Sequence, residues 1–349
     1  MLKLRRGTAV GVDPLEVEVA GERRRAWADE GLVGPVELGD DVVVNTAAVD
    51  LGLGSGGFDV VHVNLTRGLD GGEAPPGVHV MKLNYSSLQH PVDPIEAPAG
   101  VPALPARPMP VLVLPLHGHL APAVWAACEG SGGERRIGFV QAAGGGLPGS
   151  LSADVRELRS RGLLAAQVTV APSFGGELEA ISITGALHAA AGELGWDAAI
   201  VGPGPGILGS ETKYGHGGMA ALDGAHAALA LGLPTLLSPR MSAGDPRPRH
   251  RGLSHHTGSV LELLLAGVEV PVPFGLGELW PDAEETPADV IGAATAGLHR
   301  TREQRADLDG YAASGLPTRT MGRDLADDRL FFAAPLAAGT ALATALGAG

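Results

Sequence analysis

The stretch that decides the fold is VLVLPLHGHLAPAVWAACEGSGGERRIGFVQAAGGG, residues 111–146. It opens with an apolar run at residues 111–116, continues with a helical pattern that contains Trp125, and reaches a second apolar run at residues 136–141. Uninterrupted apolar runs are typical of strands whose two faces are both covered, as in parallel sheets. Four further runs of this kind follow at residues 166–170, 197–201, 234–238 and 268–272.

Helical patterns with recognisable ends separate these runs. Ser152, Thr184 and Ser254 stand at the predicted helix starts, where a hydroxyl can accept a free backbone N–H. Gly162, Gly195 and Gly267 stand at the predicted ends. Strands that alternate with helices predict a doubly wound, mostly parallel, Rossmann-like α/β sheet, and right-handed crossovers place helices on both of its faces.

The sequence before Pro110 has a different character. Residues 10–20, 36–45 and 58–65 alternate apolar and polar side chains between Gly/Asp turns, which predicts a small N-terminal β-barrel or sandwich. A proline-rich run up to Pro110 is the predicted boundary. We therefore expect a small β-rich domain plus connector at residues 1–108 and a Rossmann-like domain with C-terminal helices at residues 109–349. Within the second domain, residues 286–312 are predicted to form one helical stretch.

The composition and the terminal segments argue against several classes of protein. The 349 residues carry a formal net charge of −14, which argues against a nucleic-acid partner. Cys128 is the single cysteine, so neither a disulfide framework nor a cysteine-based zinc site is expected within one chain. The N-terminus lacks the apolar segment of a secretory signal. The apolar segment from Leu330 is predicted to be a buried or partner-packed helix and not a membrane span. We expect a cytoplasmic protein and, from that helix, a homodimer.

The loops that follow the predicted strands are rich in glycine and ionisable residues, whereas the loops at the opposite edge are plain. In open parallel sheets, ligands bind beyond the carboxyl ends of the strands. The segment from Gly202 to Thr257 carries most of these residues, so we expect the functional site there. The same edge should also carry His117, His119, Gly144 to Gly146 and Ser173 to Glu177.

The loop from Gly202 to Gly218 is the most specific candidate. Glycines after a strand let backbone N–H groups approach an anion, and a following helix adds a positive dipole end. A dinucleotide-type GxGxxG spacing is present but interrupted by prolines, and a Walker-type motif is absent. The alternative is a tight structural crossover, and the density of donors favours anion binding. The predicted ligand-binding residues of this loop are Gly202, Gly204, Gly206, Gly209, Ser210, Thr212 and Lys213.

A second candidate segment is rich in arginine and histidine. Arginines at this density bind phosphate or carboxylate groups by paired hydrogen bonds, and the alternative is a solvated basic loop. The ligand-binding candidates are Arg240, Arg247, Arg249, His250 and Arg251. His255 and His256 fall in the first turn of a helix, where the dipole keeps imidazole neutral and able to act as a base. With His216 they are the catalytic candidates. We expect only one of His255 and His256 to face the site, because neighbouring helical residues point in different directions.

The sequence also permits a metal site. His117 and His119 directly follow a strand, and Glu177 or Asp245 could complete a ligand set. The alternative, which the sequence favours, is that both histidines are incidental residues at a helix start.

Three segments together resemble a known family. They are DAAIVGPGPGILG at residues 197–209, YGHGG at residues 214–218 and HRGLSHHT at residues 250–257. They resemble an uncharacterised bacterial family known as a domain of unknown function, and the resemblance spans nearly the whole chain. Glu211 stands where a small residue is expected. The resemblance implies no activity.

The residues support three functional hypotheses. The first is an enzyme that binds a phosphorylated or nucleotide-like small molecule, with an arginine clamp for the anion and histidines for proton transfer. The second is an NADP-dependent oxidoreductase in which Arg240 meets the 2′-phosphate. The third is a non-enzymatic ligand-sensing or assembly protein. A divalent metal and NADP are the open cofactor choices, a small anionic ligand is the expected partner, and neither nucleic acid nor a membrane is expected.

Overall fold

The computed structural model describes residues 2–53, 56–72, 76–96, 108–132, 134–281 and 287–347. The chain divides into two compact units, Met1–Asp93 and Pro94–Gly349. The division falls in the first part of the proline-rich run in which the sequence placed the boundary, and residues 97–107 of that run lie outside the described residues.

The first unit is built on a closed five-stranded barrel. Its strands are β1 (Leu4–Val12), β2 (Leu15–Val19), β3 (Glu22–Trp27), β4 (Asp41–Asn45) and β5 (Asp59–Asn64). They close in the order β1-β2-β3-β5-β4. Alternate valines such as Val17, Val42 and Val61 fill its interior, which is what period-2 patterning produces. The predicted small β-barrel or sandwich is confirmed, and it is a barrel. The unit also contains α1 (Glu30–Val33), α2 (Ala47–Asp50) and a hairpin of β6 (Val80–Lys82) and β7 (His90–Val92).

The second unit is built on one eight-stranded parallel sheet. The eight strands of this sheet are, in chain order, β8 (Val111–Val113), β9 (Ile137–Ala142), β10 (Gln167–Val170), β11 (Leu178–Ala180), β12 (Ala198–Pro203), β13 (Thr235–Leu237), β16 (Glu269–Pro273) and β17 (Arg300–Gln304). The unit also contains four short strands outside the sheet: β14 (Met241–Ser242), β15 (Gly252–Leu253), β18 (Arg319–Thr320) and β19 (Arg323–Asp324). The sheet has the order β11-β10-β9-β12-β8-β13-β16-β17. β14 with β15, and β18 with β19, form separate two-stranded ladders. The predicted Rossmann-like sheet is confirmed.

Helices cover both faces of this sheet. They are α3 (Leu120–Ser131), α4 (Ala153–Ser160), α5 (Ile183–Ala191), α6 (Ala220–Ala230), α7 (His255–Leu263), α8 (Leu276–Leu279), α9 (Pro287–Thr295), α10 (Leu308–Ala313) and α11 (Arg329–Gly347). α3, α4, α10 and α11 share one apolar cluster with side chains such as Leu112 of β8. α5, α6 and α7 share another with Val111 and Val113. Successive residues of β8 therefore serve opposite cores, which explains its uninterrupted apolar sequence.

The apolar segment near the C-terminus forms α11, which packs against α3. A Cβ at Gly339 would lie 2.2 Å from the carbonyl oxygen of Ala123, so glycine allows the two backbones to approach closely. Among the described residues, α11 is the one helix whose length and composition would suffice to cross a membrane, and 78% of that apolar window is buried inside the protein. The helix is therefore a core element of its own unit.

The helix starts agree with the sequence at two of three positions. The hydroxyl oxygens of Ser152 and Ser254 accept backbone N–H groups from Val155 and His256. α5 begins earlier than predicted, because Ser182 and not Thr184 accepts the N–H of Gly185 at 2.9 Å. Both serines and threonines can cap, so the pattern alone did not separate two candidates that stand two residues apart.

The prediction of one helical stretch at residues 286–312 is wrong. The segment contains α9, then β17, then the start of α10. Gly297 breaks the helix with a φ of 83°, a backbone conformation that favours glycine. The residues after it pair in parallel with β16 as the edge of the sheet. β17 was missed because four of its five side chains are exposed and polar, so it lacks the apolar run of a central strand.

Candidate functional site

The carboxyl edge of the parallel sheet brings the loops after β8, β12 and β13 together. The Nδ1 of His117, after β8, lies 3.2 Å from the carbonyl oxygen of Pro203 at the end of β12. The Nδ1 of His119 lies 3.0 Å from the hydroxyl of Ser238, which follows β13. Both histidine rings are buried. Three loops far apart in sequence thus meet at one edge, as expected of parallel strands.

Four histidines form a compact group at this edge, which we call the histidine cluster: His216, His250, His255 and His256. The rings of His216 and His256 stack with centroids 3.7 Å apart and planes 7° from parallel. The ring of His255 lies 4.5 Å from that of His256 and 5.2 Å from that of His216. The ring of His250 lies 4.8 Å from that of His256. His216 contacts the rings of both His255 and His256 at the first turn of α7, whereas of these two only His255 lines the open cleft beside the cluster. That only one of them faces the site stays a prediction.

Two fully buried ring nitrogens of the cluster have no hydrogen-bond partner among the described residues: Nδ1 of His216 and Nε2 of His255. The ring of His216 is oriented through its other nitrogen, since Nε2 lies 3.0 Å from the carbonyl oxygen of Lys213. A carbonyl oxygen can only accept, so Nε2 carries the hydrogen and Nδ1 carries the lone pair. His216 is 6% exposed. The cluster therefore holds an uncharged, buried lone pair in a fixed orientation.

Arg240 places a guanidinium against the cluster. It is 2% exposed, and its Nη1 donates to Nδ1 of His256 over 3.0 Å. The Nε of Arg240 has no partner among the described side chains and backbone groups. Ser254, the N-cap of α7, links His250 to that helix. Its hydroxyl accepts the N–H of His256 and lies 2.8 Å from Nδ1 of His250.

The electrostatics keep the histidines neutral. Burial, followed by the nearby positive charge of Arg240, lowers the pKa of His256 to about 2 and that of His250 to about 3. Burial also lowers the pKa of His216 and of His255. Burial and then the charge of Arg247 lower the pKa of Arg240 to about 10, so the guanidinium remains charged at neutral pH. At neutral pH these imidazoles are therefore uncharged, and a neutral imidazole offers a lone pair to a hydrogen-bond donor or a metal ion.

Asp245 is the carboxylate that balances this charge. It is fully buried and lies 2.8 Å from Arg247, 3.4 Å from Arg323 and 3.7 Å from Arg240. Burial opposes its ionisation, but the hydrogen bonds and charge of Arg247 outweigh burial and hold the pKa of Asp245 well below its usual range. One carboxylate thus contacts three guanidinium groups, and one of them, Arg323, also pairs with Asp328 at 3.1 Å.

An open cleft of about 540 Å³ lies beside the cluster. The Nζ of Lys213 is 2.5 Å from a carboxylate oxygen of Glu262. Arg249 is only loosely paired, at 3.9 Å from the largely exposed Glu211. The residues that line the cleft are Glu211, Lys213, Arg249, His255, Gly258, Ser259 and Glu262. The cleft therefore connects solvent to His255 and, behind it, to the rest of the cluster.

Many of the glycines that suggested an anion cradle are instead packed between two loops. A Cβ at Gly217 would lie 1.8 Å from the carbonyl oxygen of Gly144, and one at Gly145 would lie 2.2 Å from that of Gly204. Gly202 lies within β12, where a Cβ would be 3.1 Å from the side chain of Leu114. Close approach of two backbones accounts for Gly217 and Gly145, and packing against Leu114 accounts for Gly202, without a ligand.

The tip of the same loop is exposed and closes on itself. The hydroxyls of Ser210 and Thr212 lie 2.8 Å apart, and the Ser210 hydroxyl also donates to the carbonyl oxygen of Gly215. Gly209 forms a bridge with His216, and Gly206 is exposed. This tip carries His216 into the cluster. Ligand binding by its donors stays a prediction.

The remaining arginine candidates differ in their freedom. Arg247 is engaged with Asp245 through two hydrogen bonds, at 2.9 and 2.8 Å. The Nε of Arg251 donates to the backbone carbonyl of Asp245. Arg249 lines the cleft with its loose partner and is the candidate best placed to meet a ligand.

The metal-ligand set that the sequence permits is not brought together among the described residues. His117 Nε2 lies 2.7 Å from the hydroxyl of Ser152, and Glu177 pairs with Arg159 at 2.5 Å. His119 faces Ser238, and Asp245 is surrounded by arginines. Among the described residues, a different group has ligand nitrogens within 4.8 Å of one another: His216, His255 and His256.

Sequence reasoning missed several residues of the site. Arg323 reaches Asp245 from β19, and Asp328 accepts from Arg323 at 3.1 Å. Ser254 was recognised as a helix cap but not as the partner of His250. The cap motif signalled Ser254, whereas nothing in the local sequence signals Arg323, because its contact depends on how distant segments pack.

Comparison with known proteins gives a family and no activity. A family model described as "Protein of unknown function (DUF3866)" matches residues 25–339, which include every residue of the site. No curated protein matches the chain, and no solved structure matches it.

Proposed function

We infer that this chain, which belongs to the DUF3866 family of proteins of unknown function, is an enzyme that binds a phosphorylated or nucleotide-like small molecule in the cleft beside the histidine cluster. The observation that carries this proposal is a pair of unpartnered nitrogens, His216 Nδ1 and His255 Nε2, next to the buried Arg240 and an open cleft. Unpartnered buried polar atoms are uncommon in folded proteins and call for an explanation such as a catalytic role.

The charges support an anionic ligand. Three arginines surround Asp245, and Arg249 stands at the cleft with a distant and largely exposed partner. The first turn of α7 points its dipole at the same place and adds positive potential. Arginine is suited to phosphate because its planar fork forms paired hydrogen bonds. The Arg249 guanidinium is the predicted contact for the anion.

The histidine cluster supplies the reactive groups. Its uncharged nitrogens lie behind the cleft and activate a water molecule or a substrate hydroxyl, while the positive charge of Arg240 stabilises negative charge that develops in the reaction. The anion site and the reactive nitrogens are adjacent, since both Arg249 and His255 line the cleft.

The experiment is a binding screen on the full chain. We expect inorganic phosphate, pyrophosphate, ribose 5-phosphate or adenosine monophosphate to raise the melting temperature, because a ligand of the native state stabilises it. Arg249→Ala should weaken calorimetric affinity about 10- to 100-fold, the loss expected for one charge-assisted hydrogen bond. Arg302→Ala is the matched control, because Arg302 is also half-exposed and loosely paired, at 3.6 Å from Glu269. If no phosphorylated compound shifts the melting temperature, the proposal fails.

The alternative of an NADP-dependent oxidoreductase depends on Arg240 reaching a 2′-phosphate. Arg240 is 2% exposed and donates to His256, so no observation favours this alternative. The non-enzymatic alternative predicts that a phosphorylated ligand binds and is recovered unchanged, which chromatography of the mixture measures directly.

We also propose a cytoplasmic location, which agrees with a single half-buried cysteine and with a long apolar helix that is mostly buried. The homodimer was predicted from the apolar C-terminal segment. Since α11 is buried in its own unit, that segment gives no support for a dimer, and the dimer stays a prediction.

A further inference from the structure

We propose that His216, His255 and His256 bind a divalent transition metal ion, with zinc as the best fit, in the wall of the cleft. The inference deepens the function proposed above by naming a cofactor of the same site. The metal-binding step itself requires no phosphorylated ligand.

The first support is the geometry of the nitrogens. One ring nitrogen from each of the three histidines lies within 4.8 Å of the other two. Nitrogens around a tetrahedral zinc ion are about 3.3 Å apart, because each Zn–N distance is about 2.0–2.1 Å. Side-chain rotations that move each nitrogen by about an ångström would bring these nitrogens to the spacing of a tetrahedral site. Imidazole nitrogen suits zinc, cobalt and nickel far better than magnesium or calcium.

The second support is the hydrogen bonding of the rings. Metal-binding histidines commonly donate their other N–H to a carbonyl or carboxylate, which fixes the tautomer and the ring orientation. His216 has this arrangement, with Nε2 directed at the carbonyl oxygen of Lys213 and a buried Nδ1 that has no partner in the described part of the chain. His255 Nε2 is a second nitrogen without a partner there.

The third support is the space beside the nitrogens, which a glycine leaves open. A Cβ at Gly218 would lie 3.0 Å from Nδ1 of His216 and 3.1 Å from Nδ1 of His256. Any side chain at this position would therefore press on the two nitrogens. Glycine leaves that volume for an ion, and the backbone of Gly218 needs no left-handed φ to explain the residue.

Metal binding requires two movements, one of the Arg240 side chain and one of a stacked histidine ring. The planes of His216 and His256 are 7° from parallel, so their lone pairs cannot converge on one ion until one ring turns. Arg240 donates to the His256 nitrogen that faces Gly218. Metal binding therefore exchanges one cation for another at His256: the guanidinium withdraws, and the ring rotates toward the ion that His216 and His255 hold.

Three histidines leave a fourth position of the ion open, the pattern of catalytic zinc sites and not of structural ones. Because His255 lines the cleft, that position faces the cleft, where a bound water would be activated for attack on the ligand. This last statement rests on the proposed function.

The experiment measures metal binding by the full-length, untagged chain. Protein stripped with chelator is titrated with Zn²⁺ by calorimetry and with Co²⁺ by visible absorption. We expect one ion per chain and the intense visible bands of four-coordinate Co²⁺. His216→Ala and His255→Ala should each weaken binding more than 100-fold, since loss of second-shell partners alone costs about 10- to 100-fold. His62→Ala, in β5 of the barrel, is the matched control and should leave affinity unchanged.

Two further variants test the site without removing a histidine, in case the histidine variants do not fold. Gly218→Ala keeps every ligand and fills the space beside two of them, so it should weaken Zn²⁺ binding at least tenfold with unchanged circular dichroism. Arg240→Met removes the competing cation and should tighten binding about tenfold, the value of one charged hydrogen bond that no longer has to break. Absence of stoichiometric binding, or binding that survives both His216→Ala and Gly218→Ala, overturns the inference.

The outcomes separate this inference from the function proposed above. Zinc binding without any response to phosphate or nucleotides supports the metal site and defeats the proposed ligand. If metal-free protein responds to phosphate but does not bind zinc, the proposed ligand is supported and the metal site is overturned.

Discussion

At the scale of single residues, Asp245 holds together groups from separate parts of the chain. It neutralises Arg240 and Arg247 from the segment after β13, and Arg323 from β19. Removal of one member of a buried ion pair is costly, because it leaves the partner charge buried and uncompensated. Asp245 is therefore expected to be essential for the stability of the site.

We predict that Asp245→Asn destabilises the larger unit by about 3–5 kcal/mol. The matched control is Glu211→Gln, which removes the exposed partner of Arg249 and should cost less than about 1 kcal/mol. Urea unfolding of protein labelled with 5-fluorotryptophan measures this, because the ¹⁹F resonances of Trp125, Trp196 and Trp280 report on this unit alone. Equal losses in the two variants would contradict the account of Asp245.

Gly217 gives a second prediction at this scale. A methyl group there would lie 1.8 Å from the carbonyl oxygen of Gly144, so Gly217→Ala should force the two loops apart and cost about 1–3 kcal/mol or more. Gly292→Ala, in the exposed interior of α9 with open space around it, should be neutral or stabilising by about 0.5–1 kcal/mol. The same urea experiment compares the two. A tolerated Gly217→Ala would show that the loops do not depend on this contact.

The residues of the site differ in how far sequence could predict them. His216, His255 and His256 follow strands that were recognised as parallel, and parallel strands bring such residues to one edge. The role of Arg323 was not predictable, because its contact with Asp245 spans 78 residues and depends on the position of the β18–β19 ladder. The glycines of the loops were recognised, but their packing against one another depends on how distant segments fold together and is not visible in the sequence.

At the scale of elements, strand and helix patterns were informative where an element is central and buried. β8, β9 and β12 are buried along their whole length because both of their faces are covered, and Gln141 of β9 is their one polar side chain. β17 escaped prediction because it is an exposed, polar edge strand, and hydrogen bonds to β16 decide its conformation more than its own side chains do. Hydrophobic periodicity in the sequence therefore does not predict an exposed edge strand such as β17.

The barrel provides a pH prediction. Asp40 is buried and accepts hydrogen bonds from Arg67 and from the backbone N–H of Glu37, which lower its pKa from 3.8 to about 2. A carboxyl whose pKa is lower in the folded state stabilises that state above its unfolded pKa. The barrel should therefore lose this contribution as the pH falls from about 4 to about 2.

The ¹⁹F resonance of labelled Trp27, the one tryptophan of the barrel, follows urea unfolding of that unit at each pH. Asp40→Asn should lower the unfolding midpoint at neutral pH and flatten its dependence between pH 4 and 2. Asp70→Asn, at an exposed position, should preserve the dependence. An unchanged slope in Asp40→Asn would contradict the role of this carboxyl.

At the scale of the whole molecule, the complete candidate site belongs to one compact unit. The histidine cluster, Arg240, Asp245 and Arg323 all lie within Pro94–Gly349. A chain of residues 94–349 that retains helical circular dichroism should therefore bind one Zn²⁺ with the affinity of the full chain. Loss of binding in this folded fragment would mean that residues 1–93 contribute to the site.

The central claim is that the chemistry of this protein resides in the histidine cluster at the carboxyl edge of its sheet. Anomalous diffraction at the zinc edge, from crystals of the full chain grown with one equivalent of Zn²⁺, tests it most directly. The account predicts one strong peak beside Gly218, at about 2.0–2.1 Å from nitrogens of His216, His255 and His256. A peak at other residues, or no peak in crystals in which the cluster is ordered, would contradict it.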